Sequence, residues 1–301
     1  MAGIYDFTVV FRKNSEFESY PGPFFRSVFG KVMREKFCTE GDTKCMLCSK
    51  NKICAYSILH EAPFDKKIEL EFGISQTNLP KPFFMTPITE YPCKYKAGES
   101  MNVEVVFIGN SIKYLKEAVS CFVQAGNCGI DKNRYKFDLL SISDSISKKN
   151  IYEKGKYSSE KMVMYSAQTE KDEMELTSVG IHFLTPLRLQ SEHRLIKNIN
   201  FSDIWTTLLK RTTILSSVYG GKIANSTNIK KSIEISKNVK KKEDRTRLKT
   251  LERYSATQET TLPLDGITGK MVFSGVPKGF LPILKMGEII HMGKGLTSGL
   301  G

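Results

Sequence analysis

Phe201-Ser-Asp-Ile-Trp-Thr-Thr-Leu-Leu-Lys-Arg211, continuing to Tyr219-Gly220-Gly221, is the stretch on which the fold turns. Ile204, Leu208, Leu209, Leu215 and Val218 recur at helical spacing and make a buried stripe. Ser202 is placed to cap the first turn, Asp203 suits the positive end of the helix dipole, and the glycine pair stops the helix. Upstream, Val179 to Leu189 reads as a strand. Downstream, Leu248 to Thr257 and Gly266 to Phe273 read as two strands and Gly279 to Ile290 as a second helix. The order β-α-β-β-α fits a ferredoxin-like domain lacking only its last strand, which would begin where the sequence reaches Gly301.

The first half repeats this order. Ile4 to Phe11 alternates as a strand, and Ser19-Tyr-Pro-Gly-Pro23 is a turn. Phe24, Phe25, Val28, Phe29, Val32 and Met33 then mark a helix from about Pro23 to Phe37. Ile68 to Ile74 and Met101 to Ile108 read as strands, Tyr114 to Val123 as a helix, Gly126 to Gly129 as a loop and Tyr135 to Leu139 as a strand. The expected class is an α+β sandwich, with domains at residues 1–175 and 176–301.

The 301 residues carry a net charge of +13, which favours a polyanion: nucleic acid first, an anionic membrane surface second. A solvated basic surface is the plainer alternative. No apolar run approaches the roughly 18–20 residues of a membrane span, and the N-terminus lacks the pattern of a secretory signal, so a cytoplasmic location is expected. Seven cysteines then imply a reducing compartment without disulfides. Lys222 to Lys249 concentrates Lys230, Lys231, Lys237, Lys240, Lys241, Lys242, Arg245 and Arg247. It reads either as a phosphate-gripping segment or as a solvated loop.

Three further features bear on chemistry. Cys38-x6-Cys45-x2-Cys48-x5-Cys54 offers four thiols in a short span, with a C-x2-C half-site suited to structural zinc. Four ordinary buried cysteines are the alternative. The run from Gly287 through His291, Gly293, Lys294, Gly295, Thr297 and Gly299 to Gly301 lets the backbone come close to a ligand and exposes amides that bind phosphate. It is neither a P-loop nor a dinucleotide fingerprint, and a packing turn is its plainer reading. Histidine, which titrates near working pH, occurs at positions 60, 182, 193 and 291.

The glycine run after an apolar helix resembles the C-terminal loop of the RAMP superfamily. More closely, it resembles the CRISPR repeat-processing endoribonucleases, the sixth Cas family. Phe183-Leu-Thr-Pro-Leu-Arg188 resembles the opening strand of that family's C-terminal domain, and Phe201 to Gly221 its first helix. Phe24-Phe-Arg26 to Gly30, with the cysteine cluster, resembles its N-terminal segment. The resemblance implies two tandem ferredoxin-like (RRM-like) domains with a C-terminal glycine-rich loop, binding CRISPR repeat RNA in a precursor transcript. It also implies a metal-independent cut: a ribose 2′-OH attacks the adjacent phosphate, leaving a 2′,3′-cyclic phosphate and a 5′-OH, and no cofactor is required. Other Cas proteins of an effector complex are expected partners, and a membrane is not.

Such a cut needs a base, an acid and positive charge on the phosphorane. His291, beside the glycine run, is the candidate catalytic histidine; closing the last helix is its structural alternative. His193 falls in a polar turn, His182 reads as a structural histidine on a strand, and His60 as packing. Arg26, Lys31, Gly293, Lys294, Gly295, Thr297 and Gly299 are the candidate RNA contacts. Many family members carry a histidine in or near the first helix, and this helix has none; Tyr20, Arg26, Lys31 or Arg34 are left to supply charge or proton transfer there. A non-catalytic RAMP subunit that holds guide RNA is therefore the alternative function. A basic protein that docks on acidic protein or membrane surfaces is a third.

Overall fold

A computed structural model describes all residues except 1, 42, 64–67, 70–74, 77–78, 159–163, 166–176, 192–193, 197, 221–225, 251, 256–259 and 264. The chain divides into two compact units. The first comprises Met1–Lys67, Gln76–Tyr165 and Thr297–Gly299; the second comprises Ile68–Ser75, Ser166–Leu296 and Leu300–Gly301.

In the first unit, β1 (Ala2–Phe11) is followed by α1 (Gly22–Phe37), β2 (Phe83–Ile88), β3 (Ser100–Ile108), α2 (Leu115–Cys128) and β4 (Phe137–Asp144). The short strands β5 (Asn150–Glu153) and β6 (Lys156–Tyr157) extend the sheet. The sheet order is β6-β5-β4-β1-β3-β2, and every pairing is antiparallel. Four adjoining strands, β4-β1-β3-β2, have the order of a ferredoxin-like fold. The pleat explains the register: Tyr5, Phe7 and Val9 lie opposite Val105, Val103 and Met101, so one face of the sheet is continuously apolar. Both helices cover that face. Phe122 of α2 meets Phe7 at 4.7 Å and Phe29 of α1 at 5.4 Å between ring centroids.

The second unit runs β7 (Val179–Leu187), α3 (Phe201–Tyr219), α4 (Ser226–Ser236), β8 (Lys240–Lys249), β9 (Glu252–Ser255), β10 (Thr260–Pro263), β11 (Gly266–Ser274) and α5 (Leu281–Ile290). The sheet order β7-β11-β8, antiparallel throughout, is the ferredoxin-like order without a fourth strand among the described residues. Trp205 of α3 stacks on Phe280 at 3.7 Å and anchors the core together with Phe201 and Phe273.

Several sequence expectations change. Asn200 rather than Ser202 occupies the cap of α3, and the Asp203 carboxylate accepts its backbone N–H at 2.8 Å. Helix α2 runs through Gly126 to Cys128, and Gly126 is glycine for packing rather than for a turn, since a Cβ there would meet the Phe137 carbonyl. The final strand of the first unit is Phe137–Asp144 rather than Tyr135–Leu139. Described residues of the lysine-rich segment form α4 and β8 rather than a solvated loop, and Ile229 of α4 is buried in the core. The strand expected at Leu248–Thr257 is thus two: β8 ends at Lys249, and β9 forms a ribbon with β10. Strand β2 gave no alternating signal, since Phe83, Phe84 and Met85 are all buried; Pro87 is tolerated because β2 is an edge strand.

Candidate active site

Helix α1 turns Phe25, Phe29, Val32 and Met33 into the core. Arg26 and Gly30 lie one turn apart on a neighbouring face. Beyond the cysteine-rich segment, a helical start at Ala55 and Tyr56 widens into a π-helical turn, Ser57–Glu61, pinned by the buried Leu59. Tyr56 and His60 stack here, centroids 5.3 Å apart and rings 14° from parallel. The His60 Nδ1 lies 3.1 Å from Glu61 Oε1, and the same oxygen accepts the Tyr56 hydroxyl at 2.9 Å. The Lys81 ammonium donates to the His60 carbonyl. The other ring nitrogen faces α1: a Cβ at Gly30 would stand 2.1 Å from His60 Nε2. Only glycine lets the imidazole come this close to the helix.

The charges are arranged for proton transfer. Burial lowers the His60 pKa below its ordinary value; Glu61 opposes this, while Arg26 and Lys81 reinforce it. The imidazole is therefore neutral at neutral pH. The hydrogen bond to Glu61 assigns the proton to Nδ1 and leaves a lone pair on Nε2, the form of a general base. The bond from His60, with help from Lys81 and Tyr56, holds the Glu61 carboxyl down at about 2. Burial, with Arg26 adding to it, pushes Lys81 down to about 8. A neutral imidazole oriented by an ionised carboxylate thus stands with two cations, the combination that acyl- and phosphoryl-transfer sites use.

The sequence-predicted residues are distributed over both units. Arg26, Lys31, Thr297 and Gly299 belong to the first; His291, Gly293, Lys294 and Gly295 to the second. Lys31 is exposed and 3.9 Å from Glu35. Gly299, at φ 76°, packs against Met85 and Thr86, and its carbonyl accepts the Tyr20 hydroxyl at 3.1 Å. Tyr20 also donates to Pro87 and is buried, so its pKa lies far above the ordinary range. Its observed role is to hold the loop. The Lys294 N–H donates to Arg188 at 3.1 Å, while its side chain is exposed. His291 follows α5 at φ 54°; burial and the nearby Arg211 push its pKa down to about 4. Arg211 itself donates to Ile290 at 2.7 Å. His182 is exposed on β7, opposite Lys270, and not a packed core histidine. His193 lies outside the described residues. Cys38, Cys45, Cys48 and Cys54 are free, partly buried and gathered around one recess. Among the described residues, no three metal-ligating side chains are already drawn into a ligand set.

Residues 181–301 match the model of the CRISPR-associated endoribonuclease Cas6, and residues 2–164 match AF_1859_N, an N-terminal domain family. The chain belongs to the AF_1859_N family, whose model spans more than half of it, and its C-terminal part, residues 181–301, is similar to the CRISPR-associated endoribonuclease Cas6. An uncharacterized protein of Archaeoglobus fulgidus is 22% identical over 284 residues, 92% of this chain and 88% of that protein. Among solved structures, a Cas6 product complex superimposes with a TM-score of 0.62 at 12% identity, covering 100% of this chain and 98% of that one. A Thermus thermophilus Cas6 gives 0.60 at 13% identity, covering 100% and 96%. At this identity the likeness establishes the fold alone, an α+β arrangement of two ferredoxin-like domains.

Sequence reasoning gave His60 as packing and did not join it to Tyr56, Glu61, Gly30 and Lys81. The available signal was local: Tyr56 and His60 four residues apart, an adjacent carboxylate at Glu61, and a glycine at position 30 in an otherwise good helix. Neither the approach of Gly30 nor the recruitment of Lys81 from 21 residues away can be read from spacing.

Proposed function

We propose that this chain cuts CRISPR repeat RNA within precursor transcripts and that His60 is the base. Its Nε2 takes the proton of a ribose 2′-OH; the 2′ oxygen attacks the adjacent phosphorus; the bond to the 5′ oxygen breaks. Lys81, which yields its proton near pH 8, protonates the leaving oxygen, and Arg26 balances charge on the phosphorane. The products are a 2′,3′-cyclic phosphate and a 5′-OH, and no step calls on a metal. The observation that supports this reading is the neutral His60 imidazole oriented by the ionised Glu61 carboxylate, with Arg26 and Lys81 acting on it.

Positive charge for the RNA backbone is plentiful. On β8, an edge strand, Lys240, Lys242, Arg245 and Arg247 are exposed. Charged edges also discourage strand addition, so this surface serves solubility whether or not it serves RNA. Lys294 and the backbone of Gly293 and Gly295 are the proposed contacts of the glycine run, with Thr297 and Gly299 adjoining them in sequence. Other Cas proteins are the proposed protein partners, and the cytoplasm the proposed location.

The test is a labelled repeat RNA incubated with the protein in EDTA, beside the same RNA with a 2′-deoxy sugar at the cut. One discrete cut, abolished by the deoxy sugar, is the expected result. Tight binding with no cut in either RNA would instead assign the chain the role of a guide-holding RAMP subunit.

A further inference from the structure

The segment between α1 and the π-helical turn is built inside out. From Cys38 to Cys54 it is a succession of short turns: Thr43 N–H to Glu40, Leu47 to Lys44, Cys48 to Cys45, Asn51 to Cys48 and Cys54 to Lys50. A loop of this kind normally turns its apolar side chains inward. Here Met46, Leu47 and Ile53 are 52%, 78% and 71% exposed, while all four cysteines face a common recess with Phe37 and Ser57. The segment has no apolar core of its own to hold it, and small units without a core are held by covalent or metal staples. The thiols are free, and they carry only weak contacts: Cys38 Sγ at 3.9 Å from Gly41 O and Cys54 Sγ at 3.7 Å from Phe37 O.

We propose that Cys38, Cys45, Cys48 and Cys54 bind one zinc ion as a tetrahedral set of four thiolates. Cys45 opens a single 3₁₀ turn, Cys45–Leu47, and Cys48 caps it, which sets the two side chains of the C-x2-C half-site near each other. Cys38 lies immediately past the end of α1, and Cys54 opens the segment that carries Tyr56, His60 and Glu61. Closing the set requires the four side chains to turn further into the recess they already line, at a typical Zn–S distance of about 2.3 Å. Each bound thiol gives up its proton on binding, so affinity falls in acid. The metal is structural, with four protein ligands and no open position, and it is compatible with a cut that needs no metal. The site stands whether or not His60 is the base.

The experiment is metal analysis of the full chain purified without chelator, covering zinc and iron, followed by titration with a mercurial thiol reagent. About one zinc per chain is expected, released as the four thiols are consumed, together with near-complete loss of zinc in Cys45→Ser/Cys48→Ser. Because that variant could fail to fold, cobalt is exchanged into the wild-type protein as a second probe. Thiolate-to-cobalt charge-transfer absorption supports the site. A chain with less than about a tenth of a zinc and four freely reactive thiols overturns it, as does iron in place of zinc or cobalt without thiolate absorption.

Discussion

Gly30→Ala isolates the geometry at His60 with the removal of no functional group. The added methyl would lie 2.1 Å from Nε2 and 2.6 and 2.7 Å from the ring carbons, against an ordinary contact of 3.4 Å or more. The imidazole must therefore retreat by about 1.3 Å. A misplacement of this order at a reacting group costs about 10²-fold in rate. The helix itself gains, since alanine is favoured over glycine in a helix interior by roughly 0.8–1 kcal/mol, so global unfolding is not the expected outcome. Single-turnover cleavage with protein in excess reads the first effect, and a urea titration of the same preparation reads the second. The expected pattern is a rate about 10² lower with RNA affinity within a few-fold of wild type. In Gly30→Ala/His60→Ala the two losses should not add, because both act on one group. A Gly30→Ala protein that cleaves at the wild-type rate would refute the placement of His60 as base.

Other predictions concern pH and packing. The cleavage rate should rise with pH as His60 loses its proton below its ordinary range, then fall beyond about 8 as Lys81 loses its own; Lys81→Arg should move the alkaline limb upward, and a profile without that limb removes Lys81 from the mechanism. Glu104, opposite Asp6 in the sheet register, is pushed from 4.5 up to about 7 by burial first and by Asp6 second. The folded state then holds more protons than the unfolded one between those values, so stability should fall as pH rises from 4.5 to about 7, by an amount on the order of 3 kcal/mol at most. Glu104→Gln should flatten that fall; an equally steep slope in the variant would place its cause elsewhere. Phe122→Ala should cost about 3–5 kcal/mol, read as a lower urea midpoint, because its ring fills the space between Phe7 and Phe29; a cost below about 1 kcal/mol would contradict that packing.

Much of the fold was legible because alternation and helical spacing coincide with burial. In β1 and β3 the pleat puts Tyr5, Phe7, Val103 and Val105 on one face, and the period of two declares it. α3 announced itself by its stripe, and only its cap was displaced, from Ser202 to Asn200. Signals failed where both faces are buried, as in β2, and where charge hid structure, as in α4 and β8. Lys240 to Lys249 reads as a solvated run because its exposed positions are lysine and arginine; its strand character comes from the ladder to β11, which local sequence does not encode. The glycine run was conspicuous, and Gly299 shows why it needs glycine: Met85, Thr86 and the Tyr20 hydroxyl leave no room for a side chain. His60 reads as packing in the sequence because its partners lie at positions 26, 30 and 81 as well as next to it, and a tertiary cluster has no period.

The most direct test of the central claim is single-turnover cleavage of repeat RNA by His60→Ala and His291→Ala, side by side with wild type in EDTA. General-base loss predicts a fall of about 10²–10⁴ for His60→Ala with binding retained, and a change of only a few-fold for His291→Ala. The reverse pattern, full activity without His60 and none without His291, would contradict the assignment and move the base to the glycine-rich end of the chain.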